Sequence, residues 1–422
     1  MAELSTIEIA KRVAEALGAD RVREPAGLEA RAARVIAEPA NVDEVGELVR
    51  FCEAEKIALA PVGAARTLAE IRRAPAALGV SLGRIARIVA YEPDDMTAVA
   101  EAGITVAELN RVMAPSRQRL PVDPQNPALA TIGALIAAHH AGPLRLSEGT
   151  VRDLVIGIDY VGHGGIVVRG GGRVVKNVAG YDLMKVMGGS FGTLGIITQA
   201  AFKVRPIPEN YTLALAPYAR IGDAFEGARE LIEALPLAHL EILSPALAAP
   251  LDAPGRLLLA AGFSGNRAEC DYQRAKISEK AGAAVIFRDG DGAIAAYERL
   301  RDFDLPRVAL AAQVAVPPAE LARFLSACGA IEFRAHAGSG VAQVFVAGEL
   351  ASDAGRDALA RWRESARAAR GNVRVLRAAP ALRDSLAFFD TPGAGALKLM
   401  RRMKQAFDPA GVFNPGCFVG GL

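Results

Sequence analysis

Residues 170–183 read Gly170-Gly171-Gly172-Arg173-Val174-Val175-Lys176-Asn177-Val178-Ala179-Gly180-Tyr181-Asp182-Leu183. A short link leads to Gly189-Ser190-Phe191-Gly192-Thr193-Leu194-Gly195-Ile196-Ile197-Thr198, ahead of a strand closed by Pro206 and Pro208. Gly180, Gly189, Gly192 and Gly195 stand where the chain must turn without a Cβ. The last feeds Ile196, Ile197 and the run Ala201, Phe202, Lys203, Val204, which reads as a strand. A flat, anionic ligand can lie directly against such a main chain.

In this motif the chain resembles the vanillyl-alcohol-oxidase or PCMH type of FAD-binding proteins. Within that type, the pairing of Gly171–Asp182 with Gly192-Thr193-Leu194-Gly195 looks most like the FAD-binding E subunit of bacterial glycolate oxidase. The resemblance runs from the Pro39 region to the closing Phe407-Asp408-Pro409-Ala410-Gly411-Val412-Phe413-Asn414-Pro415-Gly416 and is strongest between Tyr91 and Pro208. It implies an α+β fold with a PCMH-type FAD-binding domain of two α+β subdomains over residues 1–208. A cap domain of antiparallel sheet and helices is expected over 209–390, and a C-terminal helix and tail, 391–422, returning to the FAD domain.

The residues by themselves bound the same picture. A chain of 422 residues is too long for one ordinary core. Its 49 basic and 47 acidic residues nearly cancel, so no basic footprint for nucleic acid is present. No run approaches the ~18 apolar residues of a membrane span, and the N-terminus lacks a leader pattern. The expected location is the cytoplasm, with any contact to the inner membrane made through partners. Cys52, Cys270, Cys328 and Cys417 are scattered without cluster or zinc spacing and read as buried reduced thiols.

Along the chain, Ser5-Thr6-Ile7-Glu8 has capping-box spacing, and Asn41 precedes the helical pattern Val42, Val45, Leu48, Val49, Cys52. Strands are predicted at 57–62, 85–91 and 97–102, with a helix over 105–113. Beyond Pro208, strands are predicted near 212–216, 239–244, 257–263, 308–315 and 341–347. Helices are predicted near 223–234, 267–281, 318–327, 353–369 and 395–407. The irregular alternation favours α+β over a clean parallel winding.

Three segments are expected to converge on one FAD. The first is Pro61, Val62, Gly63, Ala64, Ala65, Arg66 and Thr67. Relatives carry a glycine-rich loop there, whose inward amides form an anion nest for the pyrophosphate. Only Gly63 is glycine here, and Arg66 reads either as a bidentate phosphate partner or as a solvated loop arginine. The second holds Thr131, Ile132, Gly133, Ala134 and Ala137 and runs on through Gly142, Gly149 and Val151. It reads either as a cofactor-facing turn or as a plain Ala-rich core helix. The third holds Lys176 and Asn177, then Gly192, Leu194, Gly195, Ile196 and Ile197. Lys176 and Asp182 read either as cofactor-orienting groups or as surface charges. No Walker lysine signature and no GxGxxG is present. The loop corresponding to Gly63–Arg66 has no histidine or cysteine, whereas relatives with covalent flavin often carry the linking histidine there; FAD is therefore expected to be noncovalent.

The resemblance also bears on the chemistry. Catalytic D subunits similar to this family carry His-x-Gly-Asp-Gly-Asn-x-His for a divalent metal in the cap. Here that stretch is His336-Ala337-Gly338-Ser339-Gly340-Val341-Ala342-Gln343. Valine cannot ligate, and a Gln amide is a poor stand-in for imidazole. Of the five histidines, only His139 and His140 are adjacent, and side chains adjacent on a helix diverge by ~100°. No metal is expected, and no catalytic residue is singled out. The reading is a noncovalent FAD subunit of a glycolate or D-2-hydroxy-acid oxidising complex, beside a sister FAD-linked catalytic subunit and an iron–sulfur subunit. The alternative is a scaffold subunit whose flavin site has decayed.

Overall fold

The first helix, Thr6–Leu17, is opened by Ser5, whose hydroxyl accepts from the Glu8 amide while the Glu8 carboxylate reaches back to the Ser5 amide. Asn41 caps the helix Val42–Glu55 in the same way, accepting from the Glu44 amide. That helix buries Val45, Leu48, Val49 and Cys52 on one face. The computed structural model describes residues 4–64, 66–173, 180–251, 255–281, 284–303, 308–329, 331–348, 352–383 and 385–422. The fold is α+β. The chain divides into two compact units: Met1–His140 with Thr150–Ile207 and Thr391–Leu422, and Ala141–Gly149 with Pro208–Asp390.

The first unit holds two main sheets. A four-stranded sheet has the order Val22–Arg23, Ile36–Ala37, Leu78–Ser81, Leu59–Val62, with the last three parallel. Strands so paired are covered on both faces, and Leu59, Ala60 and Val62 are buried. The second sheet is antiparallel, in the order Ile88–Glu92, Thr97–Glu101, Ile196–Lys203, Val155–Val161, Val167–Gly171. A shared core joins both sheets to the flanking helices, from Ile9 through Phe202 to Phe413. The helix Ala394–Phe407 and the tail behind it belong to this unit, and Leu59 bridges to Phe413.

The second unit is built on one eight-stranded antiparallel sheet. Its order is Ile286–Asp289, Asn210–Tyr218, Leu257–Gly265, His239–Leu243, Glu332–His336, Val341–Ala347, Val308–Ala315, Asn372–Ala378. Helices Ile221–Ala234, Arg267–Ala281, Pro318–Ala327 and Ser352–Ala368 fall where the sequence pattern put them. Three strands, Ile286–Asp289, Glu332–His336 and Asn372–Ala378, and the helix Gly290–Asp302 were not foreseen. They are short or carry charged residues at alternate positions, as in Glu332-Phe333-Arg334-Ala335-His336. Such charges sit in a strand only because tertiary partners bury them.

Candidate functional site

Three loops of the first unit meet at the carboxyl end of Leu59–Val62. The strand stops at Gly63, where a Cβ would lie 2.8 Å from Thr131 Oγ1 and 3.0 Å from the Ala134 methyl. The first segment therefore rests on the start of the helix Ile132–Ala138, and the methyl at Ala134 fits because residue 63 has no side chain. Thr67 Oγ1 extends the contact to His140 Nε2 at 3.0 Å. The third segment closes on both others. Amides of Gly189 and Phe191 donate to the carbonyls of Ile136 and Ala137 at 3.0 and 2.8 Å. Gly192, at φ +70°, lies so close to Pro61 that a Cβ would stand 2.9 Å from its Cγ.

The three segments do not contribute alike. In the second, the Gly133 amide donates to Ala102 O at 2.8 Å, that of Ile132 to Ile104 O at 2.9 Å, and that of Ala134 to Thr131 Oγ1, the helix cap. Those donors are spent, and Gly133 packs closely against Ala102. By contrast, among the described residues the amides of Gly63, Ala64, Gly192 and Leu194 donate to no carbonyl. Unpaired amides clustered at a loop junction are what an anionic ligand requires.

Behind these loops stands a buried polar brace, part of it in the closing motif Phe407–Gly416, whose residues were not read as site residues from the sequence. Lys404 Nζ donates to Thr193 O at 2.7 Å, to Phe413 O at 2.8 Å and to Asp408 Oδ2 at 2.5 Å. Burial pushes the Lys404 ammonium down while its pairing with Asp408 pulls it up, and burial is the larger effect. Asn414, fully buried, donates from Nδ2 to Phe191 O at 2.6 Å and from its amide to Leu59 O at 2.7 Å. Its Oδ1 accepts from Arg72, which also reaches Cys417 Sγ at 3.3 Å.

Several expectations change here. The helix ends at Ala138, and His139 is its left-handed cap at φ +52°, so the two histidines are not helix neighbours. Gly170 and Gly171 belong to the edge strand Val167–Gly171. A Cβ on Gly171 would meet Ile156 O at 2.2 Å, so strand contact explains that glycine. Asp182 caps the helix Leu183–Met187 and pairs with Lys185 at 2.6 Å on a half-exposed face. Gly142 and Gly149 fall in the segment that groups with the second unit, while Val151 stays in the first. Ala65, Lys176 and Asn177 lie outside the described residues. Arg66 is half-buried and carries no ion pair among the described residues.

The second unit has its own polar cluster on one sheet face. Glu241 and His336 are cross-strand partners, joined at 2.7 Å between Oε1 and Nδ1 and buried. Two residues before Glu241, His239 Nε2 bonds Tyr211 OH at 2.7 Å, with Tyr297 beside both rings. Burial, helped by nearby His336, pushes His239 down to about 3, so it stays neutral. Gln343, where the D-subunit pattern has its last histidine, accepts from Arg334 Nη2 at 2.9 Å.

A family model described as FAD binding domain matches residues 33–171, and one described as FAD linked oxidases, C-terminal domain, matches 389–417. Over these residues the chain is similar to the PCMH-type FAD-binding family. FAD is the cofactor of that family, and the free amides of the first and third loops fit an anionic dinucleotide. Relatives of this flavoprotein include glycolate oxidase subunit GlcD of Bacillus subtilis, 30% identical over 263 residues, 62% of this chain and 52% of that one. Glycolate oxidase subunit GlcE of Escherichia coli is 39% identical over 122 residues, 29% of this chain and 35% of that one. The matched stretches thus span about half or less of these relatives. Among solved structures, 4-ethylphenol oxidase from Gulosibacter chungangensis shares the fold, with TM-score 0.70 over 97% of this chain and 96% of that one at 17% identity.

Proposed function

We propose that the chain is a noncovalent FAD-dependent oxidoreductase subunit of a glycolate or D-2-hydroxy-acid oxidising complex, working beside a sister FAD-linked catalytic subunit and an iron–sulfur subunit. The observation that carries the reading is the meeting of three loops with the amides of Gly63, Ala64, Gly192 and Leu194 left without carbonyl partners. The glycolate oxidase relatives supply the substrate class.

The first-loop amides and the Arg66 guanidinium would hold the pyrophosphate, the guanidinium by its forked donors. Gly63 and Gly192 keep side chains out of the space between the loops. FAD supplies the two-electron acceptor that a 2-hydroxy acid needs to become a 2-oxo acid. In the second unit, His336 is committed to Glu241 and Gln343 to Arg334, so the cap strand that bears the metal fingerprint in catalytic relatives offers no comparable ligand set. Primary oxidation is accordingly assigned to the sister subunit, and this chain's flavin to electron relay. No helix among the described residues is long and apolar enough to cross a membrane, and any membrane contact is assigned to the partners.

One observation favours the scaffold reading instead. The Ala134 methyl occupies the space opposite Gly63, narrowing the pyrophosphate side. Absorption of the purified chain after incubation with FAD separates the two. Flavin bands that persist through gel filtration and are released by acid support the relay subunit, and a colourless chain supports the scaffold. Glycolate turnover by the isolated chain would sink the assignment of oxidation to a partner.

A further inference from the structure

We infer that Asn414, seconded by Lys404, is a positioning residue for the flavin cradle: it fixes the direction of the Gly192 and Leu194 amides and ties the first loop to the third. The inference rests on the FAD reading above and deepens it.

A trans peptide unit is planar, with its C=O and the following N–H pointing opposite ways. Asn414 Nδ2 holds Phe191 O at 2.6 Å, so the Gly192 N–H is turned away from Asn414. Lys404 Nζ holds Thr193 O at 2.7 Å, so the Leu194 N–H is turned away from Lys404. These are two of the four amides without a carbonyl partner. Phe191 and Gly192 are both at positive φ, +54° and +70°, a pair of conformations that a loop holds only when its surroundings over-determine them.

The same asparagine reaches the first loop by two routes. Its amide donates to Leu59 O at 2.7 Å, at the start of the strand that ends at Gly63. Its Oδ1 accepts from Arg72, directly after the helix Arg66–Ile71 that leaves this loop. The side-chain amide is suited to this place because one end must accept from a guanidinium and the other donate to a carbonyl. Asn also tolerates the left-handed φ of +43° found here. A carboxylate of the same size would satisfy Arg72 but set an oxygen against Phe191 O.

The test is Asn414→Asp, with Lys404→Gln as an independent second variant. In the lysine variant Asp408 keeps the amides of Val412 and Phe413 as donors at 3.0 Å each, so the turn retains its bonds. Each variant should raise the FAD dissociation constant about tenfold, the effect of one misdirected charge-assisted contact. Hydrogen exchange read by mass spectrometry should show FAD slowing exchange over residues 190–196 in the wild type, and much less in either variant at equal saturation. That readout would not move if the brace only stabilised the fold. Equal affinity and equal flavin-dependent protection in wild type and both variants would overturn the inference and leave the FAD reading standing. A wild-type chain that binds no FAD would overturn both.

Discussion

At the residue scale, the site depends on positions where a side chain is absent or a carbonyl is held. Gly192 shows the first kind, since both its φ of +70° and the neighbouring Pro61 exclude a Cβ. Gly192→Ala should cost roughly 1–2 kcal/mol from the left-handed conformation alone, seen as a lower urea midpoint. It should also weaken FAD by about tenfold or more, read by quenching of flavin fluorescence; unchanged affinity would remove this loop from the cofactor. Gly63 and Gly192 were legible from the sequence because glycine at a strand-to-turn junction marks a place with no room for a Cβ, whereas Gly133 lies inside the helix Ile132–Ala138. The difference between them was not. Gly133 spends its amide on Ala102 and Gly63 does not, and that follows from which strand lies alongside. Arg72 and Lys404 left no local signal of a role, and Asn414 only its place in the closing motif, since each acts on a loop distant in sequence.

At the scale of elements, the antiparallel sheet of the second unit carries buried polar groups that only cross-strand neighbours make tolerable. His239 lies over Gly262 on the adjacent strand, where a Cβ would stand 2.1 Å from the imidazole Nε2. Gly262→Ala should therefore displace the imidazole and break its bond to Tyr211, costing about 1–3 kcal/mol as an overpacking change. Tyr211→Phe alone should cost about 1 kcal/mol for the lost hydrogen bond. Because both remove the same contact, the double variant should cost less than the two summed. Additive costs in urea unfolding would show that ring and glycine are not coupled. Capped helices such as Thr6–Leu17 and Val42–Glu55 were readable from spacing, whereas Glu332–His336, which carries half of this cluster, was hidden by its charges.

For the whole molecule, the neutral state of His239 ties stability to pH. Its folded value is about 3 against the ordinary 6.5, so between those values the unfolded chain binds a proton that the folded chain does not. Stability then rises with pH through that window and is lost as pH falls below 6.5, by at most about 1.4 kcal/mol per unit from this group. Carboxylates held below their ordinary values, such as Glu29 beside Arg23 and Asp153 at its helix cap, begin to lose their contributions only nearer 4.5 and 3.8. Urea midpoints between pH 6.5 and 5 should therefore fall in the wild type and fall less in His239→Gln; identical slopes would exclude the histidine as the source. Bound FAD should stabilise the first unit by about 2.7 kcal/mol at a hundredfold excess over its dissociation constant, measured as a rise in that unit's melting temperature. The sequence by itself determined the α+β class, the glycine-marked loops, the long helices of both units except Gly290–Asp302 and the kinship to FAD proteins, because capping, periodicity and missing side chains are local. Tertiary structure alone decided which amides stay free, that Asn414 joins two loops, and that His336 is committed to Glu241. Those outcomes depend on which distant atoms come within hydrogen-bond reach, and no spacing along a chain encodes that distance.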